Sequence, residues 1–278
     1  MSVLLLCVVD RGVVRGVTQL HDVVYIVCSS SSTIERFNAT THEQLTDIIV
    51  EGLSDPTDIA ACEQTSRVYV ADSEECVCRV SSDGKDMKCC WKKSPSDMLR
   101  PHTLSVTSSR LLVTSPLTKQ LMQLDEAGKE LRHVRLLHYM YPSHAVESPT
   151  GTFVVSHWTT QVKQNQWQYQ YQVSEVNTEG QVLRQFSRSH LSSLDLDFFL
   201  GFIHIAVDSR GIIFVADSSN RRILLLNAQL ALRGVIIYGH QLNYEGPRRL
   251  CYHEQSGRLM VGCGDSDRVA VVFDVLER

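Results

Sequence analysis

Two histidines, an aspartate and an arginine recur at matching positions along the chain and carry side chains suited to chemistry. Each stands one position before the first apolar residue of a predicted inner strand, in the series Asp58, Thr103, His144, His204 and Arg249. Imidazole and carboxylate groups can bind metals or transfer protons. Because the positions are equivalent, we expect these side chains to converge near one mouth of a central channel.

The same series also contains residues that do not suit a cation site. Gly16 occupies the first equivalent position, Thr103 offers only a hydroxyl, and Arg249 places a positive charge beside any bound cation. A polar, hydrated channel mouth is therefore favoured over a metal centre. From these residues we predict no metal, no cofactor and no catalytic residue.

A repeat sets the positions of these residues. A short apolar strand ending in valine recurs six times, at Val27, Val70, Val113, Val155, Val215 and Val261. The successive spacings are 43, 43, 42, 60 and 46 residues, and the interval from Val261 through both termini to Val27 is 44. A period that survives passage through the termini indicates a closed ring of repeats.

Each repeat contains four short strands separated by turn signals, which is typical of a propeller blade. The sequence therefore predicts an all-β fold, a six-bladed β-propeller that forms a single domain over residues 1–278. The last repeat has only three strands of its own. We expect Val3–Val9 to supply its fourth strand, because closure by strand pairing leaves no open edge between the first and last blades.

The fifth repeat, from Ile205 to Ile223, resembles a nearly complete NHL repeat, with Asp217, Asn220 and Arg222 at the motif positions. Asp217 and Asn220 are predicted to hydrogen-bond turn backbone, as Asx residues do, and Arg222 to lie across the blade surface or face solvent. The second repeat retains Asp72 at the position of Asp217, and the others keep mainly the apolar pattern.

The resemblance to NHL propellers implies three functions. Propellers of TRIM-NHL proteins choose substrates for ubiquitin ligases, and some bind RNA through a basic face. Lactonase-type and amidating-lyase-type propellers carry channel metals, and Glu245 resembles a lactonase metal ligand. The basic residues that would serve RNA are scattered over several blades: Lys92, Lys93, Arg100, Lys163, Arg221, Arg222 and Arg249.

The 60-residue repeat departs from the pattern by two insertions, within Trp158–Tyr171 and around Leu191–Leu200. In the first insertion aromatic residues alternate with glutamine, which predicts a strand with its aromatic side chains on one face. Both insertions emerge on one face of the propeller, as expected of a binding surface. An alternative is that the hairpin folds over its own blade. The predicted partner-binding residues are Trp158, Lys163, Trp167, Tyr169, Tyr171, Phe198 and Phe199.

Composition limits the classes of partner. The chain has a net charge of −4, 43% hydrophobic residues and nine cysteines, with no apolar run long enough to span a membrane. We expect a cytoplasmic, monomeric propeller with free thiols, among them Cys78 opposite Cys89 across a hairpin. The predicted function is a non-catalytic scaffold for a protein partner, with a ubiquitin-ligase link. RNA binding and a metal-dependent hydrolase or lyase are the alternatives.

Overall fold

The computed structural model forms a ring of six four-stranded antiparallel sheets. It describes residues 3–8, 12–73, 76–94, 98–163, 166–186, 204–242, 246–263 and 269–275. Each repeat of the sequence supplies one sheet, with its first strand nearest the channel. The six-bladed β-propeller is confirmed.

The strands of the first three blades follow in chain order, from the innermost to the outermost. Blade one consists of β2 (Val14–Leu20), β3 (Val23–Cys28), β4 (Thr33–Asn38) and β5 (Ile48–Ile49). Blade two consists of β6 (Pro56–Cys62), β7 (Arg67–Asp72), β8 (Cys76–Ser81) and β9 (Met87–Lys92). Blade three consists of β10 (Thr103–Thr107), β11 (Arg110–Ser115), β12 (Gln120–Leu124) and β13 (Glu130–Arg135).

The remaining blades have the same order until the ring closes. Blade four consists of β14 (Tyr141–Glu147), β15 (Phe153–Lys163), β16 (Gln166–Val176) and β17 (Val182–Phe186). Blade five consists of β18 (Ile205–Val207), β19 (Ile213–Asp217), β20 (Arg222–Leu226) and β21 (Leu232–Ile237), followed by a 3-10 turn at Gly239–Leu242. Blade six consists of β22 (Pro247–His253), β23 (Arg258–Cys263), β24 (Val269–Asp274) and β1 (Val3–Val8).

The N-terminal strand closes the ring, as the sequence predicts. β1 pairs antiparallel with β24, with Val3 opposite Phe273 and Val8 opposite Val269. Pairing strands from the two ends of the chain removes the exposed edge that blade six would otherwise present.

The hydrophobic core lies between the blades. One buried cluster occupies each of the six interfaces between neighbouring blades. Alternate residues of a strand point to opposite sheet faces, so each central strand contributes to two of these clusters. In β19, for example, Val215 packs toward blade four and Phe214 toward blade six. Among the described residues, no helix is long and apolar enough to cross a membrane.

The first insertion forms an extension of blade four. β15 and β16 are 11 residues each and pair along their whole length, with Trp158 opposite Tyr171 and Thr160 opposite Tyr169. The Trp158 ring stacks on Tyr141 with a centroid distance of 4.0 Å, and Tyr171 packs against the cluster between blades four and five. Tyr169 is 49% exposed. Of the described aromatic side chains in this extension, Trp158 and Tyr171 are therefore packed against neighbouring residues, and Tyr169 is exposed.

The NHL-like motif of blade five braces the turn between β19 and β20. Asp217 accepts hydrogen bonds from Asn220 Nδ2 at 2.9 Å and from Arg222 Nε at 2.6 Å. The prediction that Arg222 faces solvent or lies across the blade surface is wrong, because its side chain is 7% exposed and paired with this carboxylate. Asp72, at the equivalent position in blade two, instead accepts from the backbone N–H groups of Ser54 and Asp55, which precede the inner strand β6.

We expect Asp217→Ala to lower the free energy of unfolding by about 3 kcal/mol, because it leaves the Arg222 guanidinium buried without its carboxylate. Urea denaturation monitored by tryptophan fluorescence measures the loss. Asp83→Ala is the matched control, since Asp83 lies on an exposed hairpin and pairs with Lys85 in solvent. Equal stability of the two variants would contradict the structural role of Asp217.

The predicted register of the cysteine hairpin is confirmed, with Cys78 directly opposite Cys89 in β8 and β9. Cys76 Sγ lies 3.9 Å from Cys78 Sγ. Cys78 is buried, whereas Cys89 is exposed. The thiols of this hairpin are therefore only partly packed into the core.

Candidate active site in the central channel

Backbone bulges at the start of the inner strand redirect one residue toward the channel in four of the six blades. The pairing register shifts at the start of the inner strands of blades one, two, four and six, immediately before Gly16, Asp58, His144 and Arg249. A β-bulge bends its strand and redirects a side chain. In blades two, four and six a proline precedes the redirected residue by two positions. The bulge, with its preceding proline in three blades, explains why these channel-facing residues occur at equivalent positions of the repeats.

The redirected side chains pair with backbone groups on the inner edges of other blades. Asp58 accepts the Leu104 N–H at 2.9 Å. His144 Nε2 lies 3.1 Å from the Leu104 carbonyl oxygen, and the Leu250 N–H donates to His204 Nδ1 at 3.2 Å. Inner strands have no further strand to pair with, so these bonds satisfy groups that would otherwise be buried and unpaired.

The inward-facing residues at the start of the inner strands form one layer across the channel, and this layer is completed by Arg249 of blade six and Gly16 of blade one. The Arg249 guanidinium donates to the backbone carbonyls of Arg15 and Thr57, and its Nε lies 3.8 Å from Asp58 Oδ1. A Cβ at Gly16 would lie 2.6 Å from the backbone nitrogen of Ile59, so only glycine fits there. Thr103 donates its hydroxyl to the Ser143 carbonyl at 2.9 Å. Hydrogen bonding between blades therefore accounts for much of this layer.

Two imidazole atoms in the layer have no hydrogen-bond partner. Among the described residues, His144 Nδ1 and His204 Nε2 are buried and unpaired. The two rings stack with centroids 3.6 Å apart, and His204 Nε2 lies 3.6 Å from Asp58 Oδ2. Unpaired buried polar atoms cost free energy, so they are notable wherever they occur.

The backbone fixes the tautomer of each ring. A carbonyl only accepts, so His144 must carry its proton on Nε2, leaving a lone pair on Nδ1. The Leu250 N–H only donates, so His204 Nδ1 has the lone pair and its proton is on Nε2. His144 Nδ1 is thus a free hydrogen-bond acceptor, and His204 Nε2 is a free hydrogen-bond donor.

Burial keeps both rings neutral. Desolvation lowers the pKa of His144 and of His204 well below the usual value for histidine, and neighbouring positive groups act in the same direction. Desolvation also raises the pKa of Asp58, an effect that Arg249 opposes. The acceptor and the donor therefore coexist in one protonation state at neutral pH.

A metal ion does not suit this set of donors. Asp58, His144 and His204 each place a ligand-type atom within 4.8 Å of the others. However, His204 Nε2 carries a proton while Nδ1 is occupied by the Leu250 N–H, which leaves only two lone-pair donors. Structural zinc sites have four protein ligands and catalytic sites three, and the nearby guanidinium of Arg249 opposes a further positive charge.

A pocket of about 250 Å³ extends from this layer toward one face of the ring. His144 and His204 lie at its inner end, and its walls are mostly apolar. Glu63, His253 and Glu254, at the ends of inner strands, line its outer part. A small-molecule site of this kind combines apolar walls with a few polar groups that orient the ligand.

Of the predicted partner-binding residues, the described ones lie at the opposite face from this pocket. Trp158 is opposite Tyr141, at the start of an inner strand, whereas the pocket opens beyond the ends of these strands. Trp158 and Tyr171 are partly buried, and Tyr169 is exposed. The side chains of Lys163 and Trp167, and the residues Phe198, Phe199 and Glu245, lie outside the described part. A partner for this face stays a prediction.

Two of the seven basic residues considered for RNA are unsuited to it. Arg222 and Arg249 are buried, with 6% and 8% exposure, and both face carboxylates. Lys92, Arg100 and Arg221 are exposed and belong to different blades or connections. The structure therefore removes two cations from the candidate RNA surface.

No protein-family model and no curated protein matches the sequence. Solved structures do match across nearly the whole chain. The gluconolactonase XC5397 from Xanthomonas campestris is 12% identical with a TM-score of 0.67, covering 97% of this chain and 88% of its own. A streptogramin B lyase is 8% identical with a TM-score of 0.66, covering 98% and 96%. Kuenenia stuttgartiensis hydrazine synthase is 14% identical with a TM-score of 0.67, covering 98% of both chains.

These likenesses establish the fold, a β-propeller. They also correct the predicted function. The propellers named above are enzymes, which contradicts the expectations of a non-catalytic scaffold and of no enzymatic activity, and favours the enzymatic alternative.

The sequence predicts the layer of channel-facing residues, but it does not predict the pocket beside them. Glu63 and His253 stand at the ends of inner strands, and their side chains meet although 190 residues separate them. Both residues lie at the carboxyl-terminal end of an inner strand, Glu63 directly after β6 and His253 as the last residue of β22. The tautomers of the two histidines had no signal in the sequence, because backbone atoms of other blades determine them.

Proposed function

We propose that this propeller is a hydrolase or lyase that acts on a small substrate in the channel pocket. The observation that carries the proposal is the pair of unpartnered imidazole atoms, His144 Nδ1 and His204 Nε2, at the inner end of the pocket. The enzymes of the same fold support the class of reaction.

The pair matches what opening of a lactone or an elimination requires, namely a proton acceptor and a hydrogen-bond donor to the oxygen on which negative charge develops. In hydrolysis, His144 Nδ1 takes a proton from water as its oxygen bonds to the carbonyl carbon. The carbon–oxygen bond of the lactone then breaks, and the departing oxygen takes the proton that His144 Nδ1 received from water, while His204 keeps its Nε2 proton and donates a hydrogen bond to the carbonyl oxygen. Both rings are then in their starting protonation states. The Asp58 carboxylate stabilises the positive charge that develops on His144, since its oxygen lies within 4.8 Å of a ring nitrogen of that residue.

The test is turnover of a panel of γ- and δ-lactones and β-eliminable substrates, followed by acid release or absorbance. We expect turnover of at least one class, and a loss of about 100-fold or more in kcat/KM for His144→Gln and for His204→Gln. Glutamine retains a side-chain amide to pair with the backbone. His157→Gln is the matched control, because His157 is a buried histidine of blade four that does not line the pocket.

Equal turnover by the wild-type chain and both channel variants would contradict the assignment of these histidines. Failure of the wild-type chain to turn over any class would count against the proposed activity itself.

Removal of metal provides an independent prediction. We expect turnover to survive exhaustive dialysis against a chelator, since the site has only two free lone-pair donors beside a guanidinium. Elemental analysis before and after dialysis, with activity measured in parallel, checks this. Loss of activity that Zn²⁺ or Ca²⁺ restores would contradict the assigned tautomer of His204.

We also propose that the repeats are of the NHL type. The contact between Asp217, Asn220 and Arg222 supports this, together with Asp72 at the equivalent place in blade two. Substitution of Asp72 tests it, since a shared motif predicts a loss of stability comparable with that of Asp217→Ala.

A further inference from the structure

A serine, a histidine and a glutamate form a continuous hydrogen-bonded chain at the outer end of the channel. Ser256 Oγ lies 2.8 Å from His253 Nδ1, and His253 Nε2 lies 2.7 Å from Glu63 Oε1. Ser256 and His253 belong to the end of β22 and its turn into β23, whereas Glu63 follows β6 in blade two. We infer that Ser256 is the nucleophile of a second site, which cleaves esters by acyl transfer.

The hydrogen bonds fix the proton positions that such a nucleophile requires. The Glu63 carboxylate accepts, so His253 carries its proton on Nε2 and has a lone pair on Nδ1. The Ser256 hydroxyl therefore donates to Nδ1, which is the arrangement of a nucleophile and its general base. His253 is 8% exposed at its side chain, so it is held in place by packing as well as by hydrogen bonds.

The surrounding contacts hold these groups rigidly. Gln255 Nε2 donates to the second oxygen of Glu63 at 2.5 Å, which orients the carboxylate toward His253. On the other side of the turn, Glu254 accepts from the N–H and hydroxyl of Ser209 in the turn of blade five. The turn that carries Ser256 is thus anchored to blades two and five at once. A site preorganised in this way needs little rearrangement to react.

The same turn supplies donors for a developing oxyanion and space for a substrate. Among the described residues, the backbone N–H groups of Gln255 and Ser256 make no hydrogen bond. Amides of this kind, including that of the nucleophile itself, stabilise a tetrahedral intermediate. A polar cleft of about 530 Å³ lies beside Ser256 and His253, with His21, Thr40 and Arg258 among its other walls. Its polar lining suits an ester of a short, hydrophilic acyl group.

The reaction proceeds in two balanced steps. Ser256 Oγ bonds to the carbonyl carbon of the ester while its proton passes to His253 Nδ1. The ester carbon–oxygen bond then breaks, and the departing alcohol takes that proton. In the second step water gives a proton to His253 Nδ1 and attacks the acyl carbon, which releases the acid and returns the proton to Ser256.

The experiment is covalent labelling of the full chain with an alkyl fluorophosphonate, with peptide mass spectrometry to locate the adduct. We expect one adduct per chain at Ser256, formed about 100-fold or more slowly in His253→Gln and also more slowly in Glu63→Gln. Ser148→Ala is the matched control, because Ser148 lies in the equivalent turn of blade four and bonds only to threonines and backbone.

No adduct at Ser256 in the folded wild-type chain would overturn the inference, as would equal labelling rates in wild type and His253→Gln. The adduct is located in the wild-type chain, so the result does not depend on whether a variant folds. Labelling is also independent of turnover in the channel pocket. An adduct at Ser256 without turnover of the lactone panel would support this site and count against the function proposed for His144 and His204.

Discussion

Asp58→Ala lowers the free energy of unfolding by about 3–5 kcal/mol, because it removes the carboxylate at the centre of a buried polar layer. Asp58 accepts the Leu104 N–H of blade three and lies within 4 Å of His204 in blade five and Arg249 in blade six. Its loss leaves a buried guanidinium without a counter-charge. Urea denaturation of wild type and variant measures the effect.

Two further variants separate charge from hydrogen bonding at this position. Asp58→Asn keeps an oxygen for the Leu104 N–H but not the charge, so we expect a smaller loss. Arg249→Met in the Asp58→Ala background removes the unpaired cation, so the double variant loses less than the sum of the single changes. Additive losses would show that the two side chains are not coupled. A loss below about 1 kcal/mol for Asp58→Ala would place it outside the buried network.

Stability falls as the pH decreases below about 6.5, the usual pKa of histidine in an unfolded chain. Burial lowers the pKa of His157 and of His102 to about 4, and the pKa values of His144 and His204 are also well below the usual range. Below pH 6.5 the unfolded chain binds protons that the folded chain excludes. Stability from these groups is therefore present at neutral pH and decreases toward acid.

The size of this loss of stability can be judged from His157, whose pKa is lowered by desolvation alone. Between about pH 6.5 and 4.5 this residue alone removes roughly 2 to 3 kcal/mol, and the other three histidines add losses of the same sign. Asp58 and Asp217 act in the opposite direction near pH 4, because their pKa values are raised in the folded state.

Urea denaturation at a series of pH values tests this slope, with His157→Gln as the diagnostic variant. The unfolded wild-type chain binds about one more proton at His157 than the folded chain does, and the substitution removes this difference. The free energy of unfolding of the variant therefore falls less steeply as the pH decreases. His133→Gln is the control, since His133 lies exposed beside Glu130. A wild-type stability that stays constant from pH 7 to pH 5 would contradict the buried, neutral state of these rings.

Much of the fold was predictable from the spacing of the valine strands, because a closed ring requires the period to continue through the termini. The pairing of β1 with β24 follows from this spacing. The strand β16 follows from a different pattern, the alternation of aromatic residues with glutamine. The buried pairing of Arg222 was missed, because the motif alone does not show that its guanidinium turns back onto Asp217.

The site was predictable in part for a physical reason. Gly16, Asp58, His144 and Arg249 each follow a bulge at the start of an inner strand, so their direction toward the channel is encoded locally. The proton positions of His144 and His204 depend on Leu104 and Leu250, which belong to neighbouring blades. The chain from Ser256 to Glu63 likewise joins two blades that are far apart in sequence.

The most direct measurement is long-range ¹H–¹⁵N NMR of the histidine rings at neutral pH, with His144→Gln and His204→Gln used to assign the signals. We predict that both rings are neutral, with the proton on Nε2 and an unprotonated Nδ1. That result would show one free acceptor on His144 and one free donor on His204 in the same channel layer. An imidazolium, or a proton on Nδ1 of either ring, would contradict the acid–base pair on which the proposed function depends.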